Sequence, residues 1–245
     1  VIRILIALCL ASVAHGAVLL VQVKECHIGS TGTNTCTLNS NVTSGNLSIV
    51  MVGNTANDCT TPAANRTTYT SAHQSTNFGG DGEHACIWYG VYASSGAETV
   101  TKVSPAGPEI MRVFEFSGIA SGTTVAAHSG DAPSFASSMT SGDMVTAAGS
   151  NIVVCVGGNN NTETFTSATP ADTNYFDGPV CSGVGGACGG FDYQQTVGFL
   201  YKFAAAGTYN CSMGLTGAGR RMAIAGAVIS FTPTLAKPGS FPYIM

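Results

Sequence analysis

The chain has 245 residues, of which 9% are charged, and its 9 Lys and Arg against 13 Asp and Glu give a formal net charge of −4. A surface so poor in basic groups excludes nucleic acid and anionic membranes as the partners that define function. The same shortage of Lys, Glu and Arg removes the usual exposed-helix formers, while Thr, Ser, Asn, Val and 31 Gly favour short strands and turns.

Residues 1–16 carry one basic residue, Arg3, then an apolar run from Ile4 to Leu10, then small residues up to Gly16. This is the layout of a secretory signal, with cleavage after Ala14 or after Gly16. A membrane anchor needs about 20 apolar residues. It would have to run through His15 and Gly16 into Val18 and Leu19, which read better as the start of the first strand. The expected organisation is a leader over 1–16, one domain over 17–232 and an extended, proline-containing tail over 233–245.

Within the domain the candidate strands are 17–24, 35–38, 47–53, 85–92, 99–104, 110–117, 144–147, 152–156, 197–203, 208–214 and 222–232. A short helix is conceivable at 62–67 or 132–138; no longer apolar stripe of helical period exists. Alternation assigns faces. Tyr209, Cys211, Met213 and Leu215 share one side, with Asn210 on the other, and Val197, Phe199, Tyr201 and Phe203 oppose Lys202. The run from Met222 to Phe231 is apolar on both faces, as in a strand covered on both sides. Residues 45–54 and 150–159 echo each other as turn, apolar strand and Gly/Asn exit. They are either two equivalent central strands or convergent strand-and-turn composition.

The cysteines support the leader. Without Cys9 the count is eight, an even number that suits four disulfides in an oxidising compartment. Neighbouring pairs are expected: Cys26–Cys36 and Cys181–Cys188 closing short loops, Cys59–Cys86 tying a connection to the next strand, and Cys155–Cys211 between two strands. Metal binding is the rival reading, but no CxxC occurs. Five Asn-x-Ser/Thr sequons, at Asn41, Asn46, Asn65, Asn160 and Asn210, offer glycan sites in a host with the machinery.

Signatures of catalysis are scarce. No G-x-S-x-G elbow, HExxH, P-loop or complete GxGxxG is present. The densest polar cluster is Gly79 to His84, where Asp81 and Glu83 are candidate calcium ligands or, with His84, an acid–base set. A plain Gly-Asp turn leading into the strand at 85–92 is the favoured reading. His128, Ser129 and Asp131 are consecutive enough to read as a solvated turn rather than a triad. Arg220 and Arg221 open the last strand. Trp88 and Tyr92 share a face and read as core rather than as a sugar-stacking platform.

Several segments together, TSGNLSIVMVGN, CIWYGVYASSGAETVTKV, MRVFEFSGI, SGDMVTAAG and the stretch from AAGTYNCSMG to AVISF, resemble a β-sandwich module of secreted and phage-associated bacterial proteins. The resemblance spans about 18–232 and rests on strand-and-turn patterns. It implies an all-β, jelly-roll-like or Ig-like sandwich of two antiparallel sheets and brings no catalytic residues with it. The disulfides depart from it. The function expected is that of a secreted, glycosylated, disulfide-stapled structural protein, a subunit of a fibre, coat or matrix that self-associates through its terminal strands. No cofactor other than calcium is expected. A lectin-like or adhesive module is the alternative, and a glycan-degrading enzyme the third reading.

Overall fold

The computed structural model describes residues 18–28, 31–54, 59–76, 83–105, 107–131, 136–146, 149–159, 165–169, 173–177, 196–217 and 222–233. The expected leader and tail, Asp81, Asn160, the Cys181–Cys188 pair and the Arg220–Arg221 step lie outside them.

All regular structure among the described residues is strand. The first half of the chain forms β1 (Leu19–Ile28), β2 (Gly32–Thr37), β3 (Leu47–Asn54), β4 (Ala63–Ala64), β5 (Thr70–Thr76), β6 (His84–Val91), β7 (Thr99–Ser104) and β8 (Glu109–Ser117). The second half forms β9 (Ile119–Asp131), β10 (Ser138–Thr140), β11 (Met144–Thr146), β12 (Ser150–Asn159), β13 (Phe165–Thr169), β14 (Thr173–Asp177), β15 (Thr196–Ala204), β16 (Gly207–Tyr209), β17 (Ser212–Leu215) and β18 (Met222–Pro233). The expected all-β class holds and the expected pair of sheets does not: the strands form five sheets. The helix conceived at 62–67 is also replaced, by β4 and a bend. Ala63 and Ala64 are held by pairing with Thr101 and Val100 of β7, a tertiary contact that outweighs local propensity.

Strand order repeats between the halves. The first large sheet runs β1-β8-β3-β6-β5 and the second, read from its other edge, β9-β18-β12-β15-β14. The small sheets run β2-β7-β4 and β10-β17-β13. The β11–β16 pair of the second half has its counterpart in the isolated Val42–Gly96 bridge of the first. The central strands of the two large sheets are β3 and β12, the segments whose sequences echo each other.

Three apolar layers result. Val50, Val52, Trp88, Met111 and Val113 on one face of the first large sheet pack against Cys36, Leu38 and Val100 of its small-sheet side. Val153, Cys155, Leu200 and Ile224 do the same in the second half against Met139, Cys211 and Met213. Between the two large sheets lies a third layer, with Leu47, Ile49, Met51, Ile87 and Phe114 on one side and Ile152, Val154, Phe199 and Ile229 on the other. Covering both faces of each large sheet explains why β3 and β18 read as unbroken apolar runs rather than alternating ones. Alanine lines the side of the middle layer where β18 nears β5 and β6, through Ala72, Ala85, Ala223 and Ala225. Aromatic rings fill the side of β8 and β15, with Phe116 and Tyr201 edge to face at 5.2 Å. Arg112 enters the same layer, its guanidinium 5.0 Å from the Phe199 ring and paired with Glu25.

Among the described residues three disulfides bind the layers: Cys26–Cys36, Cys59–Cys86 and Cys155–Cys211, with Cα separations of 5.4, 5.9 and 5.8 Å. All three are pairings expected from the sequence. Cys211 sits at a break between β16 and β17, where one strand was expected, and still faces inward with Met213 and Leu215.

Candidate functional site

Both central strands stop at a Gly-Asn pair, Gly53-Asn54 in β3 and Gly158-Asn159 in β12. A Cβ on Gly53 would lie 2.7 Å from Val197 Cγ2 at the start of β15, and one on Gly158 would strike the Glu83 carboxylate just before β6. The same end of each half therefore meets the other. Here the ends of β1, β3, β5 and β7 and their second-half counterparts lie together, so one end of the molecule gathers strand ends that bear connections from both halves.

The polar groups at this end are buried. Across the first large sheet, Asn54 stands opposite His84 on one side and Glu109 on the other, and all three lack appreciable exposure. From the facing small sheet, Lys102 Nζ donates to Glu109 Oε2 at 2.7 Å and Asn34 Nδ2 to Glu109 Oε1 at 3.1 Å. Glu83 projects the other way, into the layer beside Gly158, as strand alternation demands of a residue next to His84. The chain thus brings together Glu83, His84 and Asn54 but turns the carboxylate and the imidazole to opposite faces of one sheet. That geometry suits an internal polar brace better than a shared proton relay. Of the candidate calcium pair, Glu83 is fully buried and Asp81 lies outside the described residues. Among the described residues no three His, Cys, Asp or Glu side chains cluster closely enough to hold a metal ion. The described residues contain no helix long and apolar enough to cross a membrane.

At the opposite end the buried Glu98 carboxylate gathers three backbone donors. Oε1 accepts from Asn65 N at 2.9 Å and Thr99 N at 2.8 Å, and Oε2 accepts from Arg66 N at 3.0 Å. Arg66 is fixed further by donating to Ala97 O at 2.8 Å and Ser94 Oγ at 3.0 Å. The result is a shallow open groove lined by Asn65, Arg66, Thr67, Val91 and Ser94. Sequence reasoning missed it because Glu98 and Arg66 are far apart in the chain and belong to no motif.

Comparison with family models, with curated proteins and with solved structures returned no match. The reading of this chain therefore rests on its own residues.

The sequons divide by geometry. Asn41, Asn65 and Asn210 are exposed, whereas Asn46 is buried and donates from Nδ2 to Glu115 Oε1 at 2.6 Å. That nitrogen is the atom a glycan would occupy, so the packing at Asn46 leaves no room for one. Trp88 and Tyr92 lie in the core, as expected, with Tyr92 bonded through Ser48 to Tyr69.

His128 corrects one expectation. The segment from His128 to Asp131 is not a solvated turn but the end of β9, an edge strand paired with β18. The His128 ring stacks on His73 of β5 at 4.7 Å between centroids. Burial, and then the neighbouring His128, push the His73 pKa down to about 4.

Proposed function

We propose that this chain is a secreted, non-enzymatic structural protein, the subunit of an extracellular fibre, coat or matrix, built as two jelly-roll-like sandwiches in tandem. Three disulfides suit an oxidising environment outside the cell, and the strand order of each half is that of a double Greek key. The reading includes glycans on Asn41, Asn65 or Asn210.

The observation that carries it is a face without charge. Thr33, Thr35 and Thr37 of β2 stand opposite Val103, Thr101 and Thr99 of β7, forming a hydroxyl ladder on the outside of the first small sheet. Thr37 and Thr99 hydroxyls lie 3.1 Å apart. Apolar residues are exposed beyond what a solitary surface needs: Val103 at 59%, Val145 at 67%, and Leu19 and Val21 at 58% and 48% on the edge strand β1. A hydroxyl and methyl surface without charge is suited to burial against neighbouring subunits. Sedimentation and negative-stain imaging of the full chain test the idea. Concentration-dependent polymers that Thr35→Lys and Val103→Lys dissolve are expected. A monomer at every concentration would sink it.

A lectin-like role is favoured by a different observation, the gathering of strand ends from both halves at one end of a rigid scaffold. Glycan-array binding, with and without chelator, distinguishes it.

A further inference from the structure

We propose that the stacked pair His73–His128 is an acid-sensitive latch that holds the edges of the two large sheets together and lets them part when His73 is protonated. The inference does not depend on the proposed function.

The latch is built by local irregularities. In β5 the register slips between Ser71 and His73, making Ala72 an extra residue. His73 then stands opposite Ile87 and Ser75 opposite Ala85, and both of those partners belong to the layer between the large sheets. In β9, His128 and Gly130 stand opposite Ala227 and Ala225, which line the same layer from the other side. His73 and Ser75 therefore meet His128 and Gly130 across the seam. Glycine is required there: a Cβ on Gly130 would lie 2.6 Å from His73 Nε2, 2.7 Å from Ile224 O and 2.9 Å from Ser75 Cβ. The stack lies where the edge strand β5 of one large sheet packs against the edge strand β9 of the other.

Few ionisable groups are found on the described strands packed against the stack. β5 has no other ionisable side chain, and β18, packed against both strands, has none at all. β6 contributes His84 at its start and Tyr89, with Glu83 just before it, and Glu83 is turned toward Gly158. β9 ends at Asp131, and Asp143 precedes β11, where it accepts from Asn210. In the closed seam His73 takes a proton only near pH 4, against the ordinary 6.5 once it is solvated. The opened form therefore binds more protons than the closed form across that window, so acid favours opening there and neutral pH favours closure.

The test is hydrogen exchange on the full chain between pH 7 and pH 4, corrected for intrinsic rates. Amides of β5 and β9 are expected to lose about a hundredfold in protection at pH 4, since the pKa falls from 6.5 to about 4 and each unit is worth tenfold, while the β3 and β12 amides keep theirs, and the loss should reverse on neutralisation. His73→Gln should abolish the acid response, and His128→Gln, which removes only the smaller of the two causes, should weaken it. Gly130→Ala should expose the same strands at pH 7. Unchanged β5 and β9 protection down to pH 4, or an acid response that survives both glutamine variants, overturns the latch. If the glutamine variants fail to fold, direct titration of His73 by NMR replaces them: an ordinary imidazole pKa in the native protein would be equally fatal.

Discussion

Lys102 Nζ lies 2.7 Å from Glu109 Oε2, and neither side chain has any exposed surface. An ion pair so placed is costly to assemble but more costly to break, because removing one partner leaves a charge in a low-dielectric interior. Glu109→Gln should therefore lower stability by about 3–5 kcal/mol. Replacing both residues, Lys102→Met with Glu109→Leu, should cost less than that single change. The residual loss comes from Asn34, which gives up its acceptor. Urea denaturation of Lys102→Met, Glu109→Leu and the double variant closes the cycle. Additive losses would show that the two charges do not support each other.

The Asn46–Glu115 contact yields a selective modification pattern. Glu115 also accepts from Thr43 N at 3.0 Å and from Gln22 Nε2 at 2.5 Å, so Asn46 belongs to a fully engaged buried network. Produced in a glycosylating host, the native chain should carry no sugar at Asn46, whereas Asn41, Asn65 and Asn210 are accessible. Peptide mapping after enzymatic deglycosylation reads this directly. A glycan at Asn46 in folded protein would contradict the packing.

Tyr69 and Tyr92 share the Ser48 hydroxyl, at 2.8 and 3.0 Å. Burial pushes both phenols above their usual range, and for Tyr69 the neighbouring Tyr92 adds to it. A pKa raised in the folded state means that the neutral form is favoured there. Their contribution to stability is thus complete below pH 10, the unfolded value, and is lost as pH climbs above it. Spectrophotometric titration of the chain's 8 tyrosines should show two that ionise only on alkaline unfolding. Ser48→Ala should cost about 1–3 kcal/mol by leaving two buried hydroxyls poorly partnered.

What could be read from the sequence follows the strength of each local signal. Strongly apolar or alternating segments such as 47–53, 197–203 and 222–232 became β3, β15 and β18. The weak echo between 45–54 and 150–159 marked the two central strands. β9 was missed because Ile119–Asp131 is mostly Ser, Thr, Gly and Ala without alternation, and only its pairing with β18 makes it a strand. β4 and β5 were missed for the same reason. Cys26–Cys36 and Cys59–Cys86 were legible because each pair brackets one local connection, and Cys155–Cys211 because both cysteines fall within expected strands. The two-half architecture was not, since a repeated strand order lies in the pairing partners, which no local pattern displays. Nor was the neighbour of Glu83, since Gly158 approaches it from the other half.

The disulfides should rank by the loop each one closes. Separations of 56, 27 and 10 residues for Cys155–Cys211, Cys59–Cys86 and Cys26–Cys36 correspond to about 4, 3.5 and 2.7 kcal/mol of lost denatured-state entropy. Paired Cys→Ala variants should lose stability in that order, measured by thermal unfolding without reductant. Equal losses would point to strain or residual structure in the reduced chain instead.

Gly53 and Gly158 provide the sharpest test that the halves are packed as described. Replacing an ordinary strand glycine with alanine commonly stabilises, by about 0.4–1 kcal/mol, because the unfolded chain loses freedom. Neither glycine has the positive φ that would forbid a side chain, so backbone strain is not the obstacle. The obstacle is the other half of the molecule. At Gly53 the new methyl would meet both Val197 methyls, at 2.7 and 2.8 Å, on a stiff β-branched side chain in the middle apolar layer. At Gly158 it would displace the Glu83 carboxylate, whose Cγ and Cδ also lie 3.1 Å away. Overpacking of this kind costs about 1–3 kcal/mol, enough to reverse the sign of the usual effect. Gly53→Ala and Gly158→Ala should both destabilise, and Val197→Ala should rescue the first but not the second. If Gly53→Ala stabilises the protein, the two large sheets do not approach each other at that end.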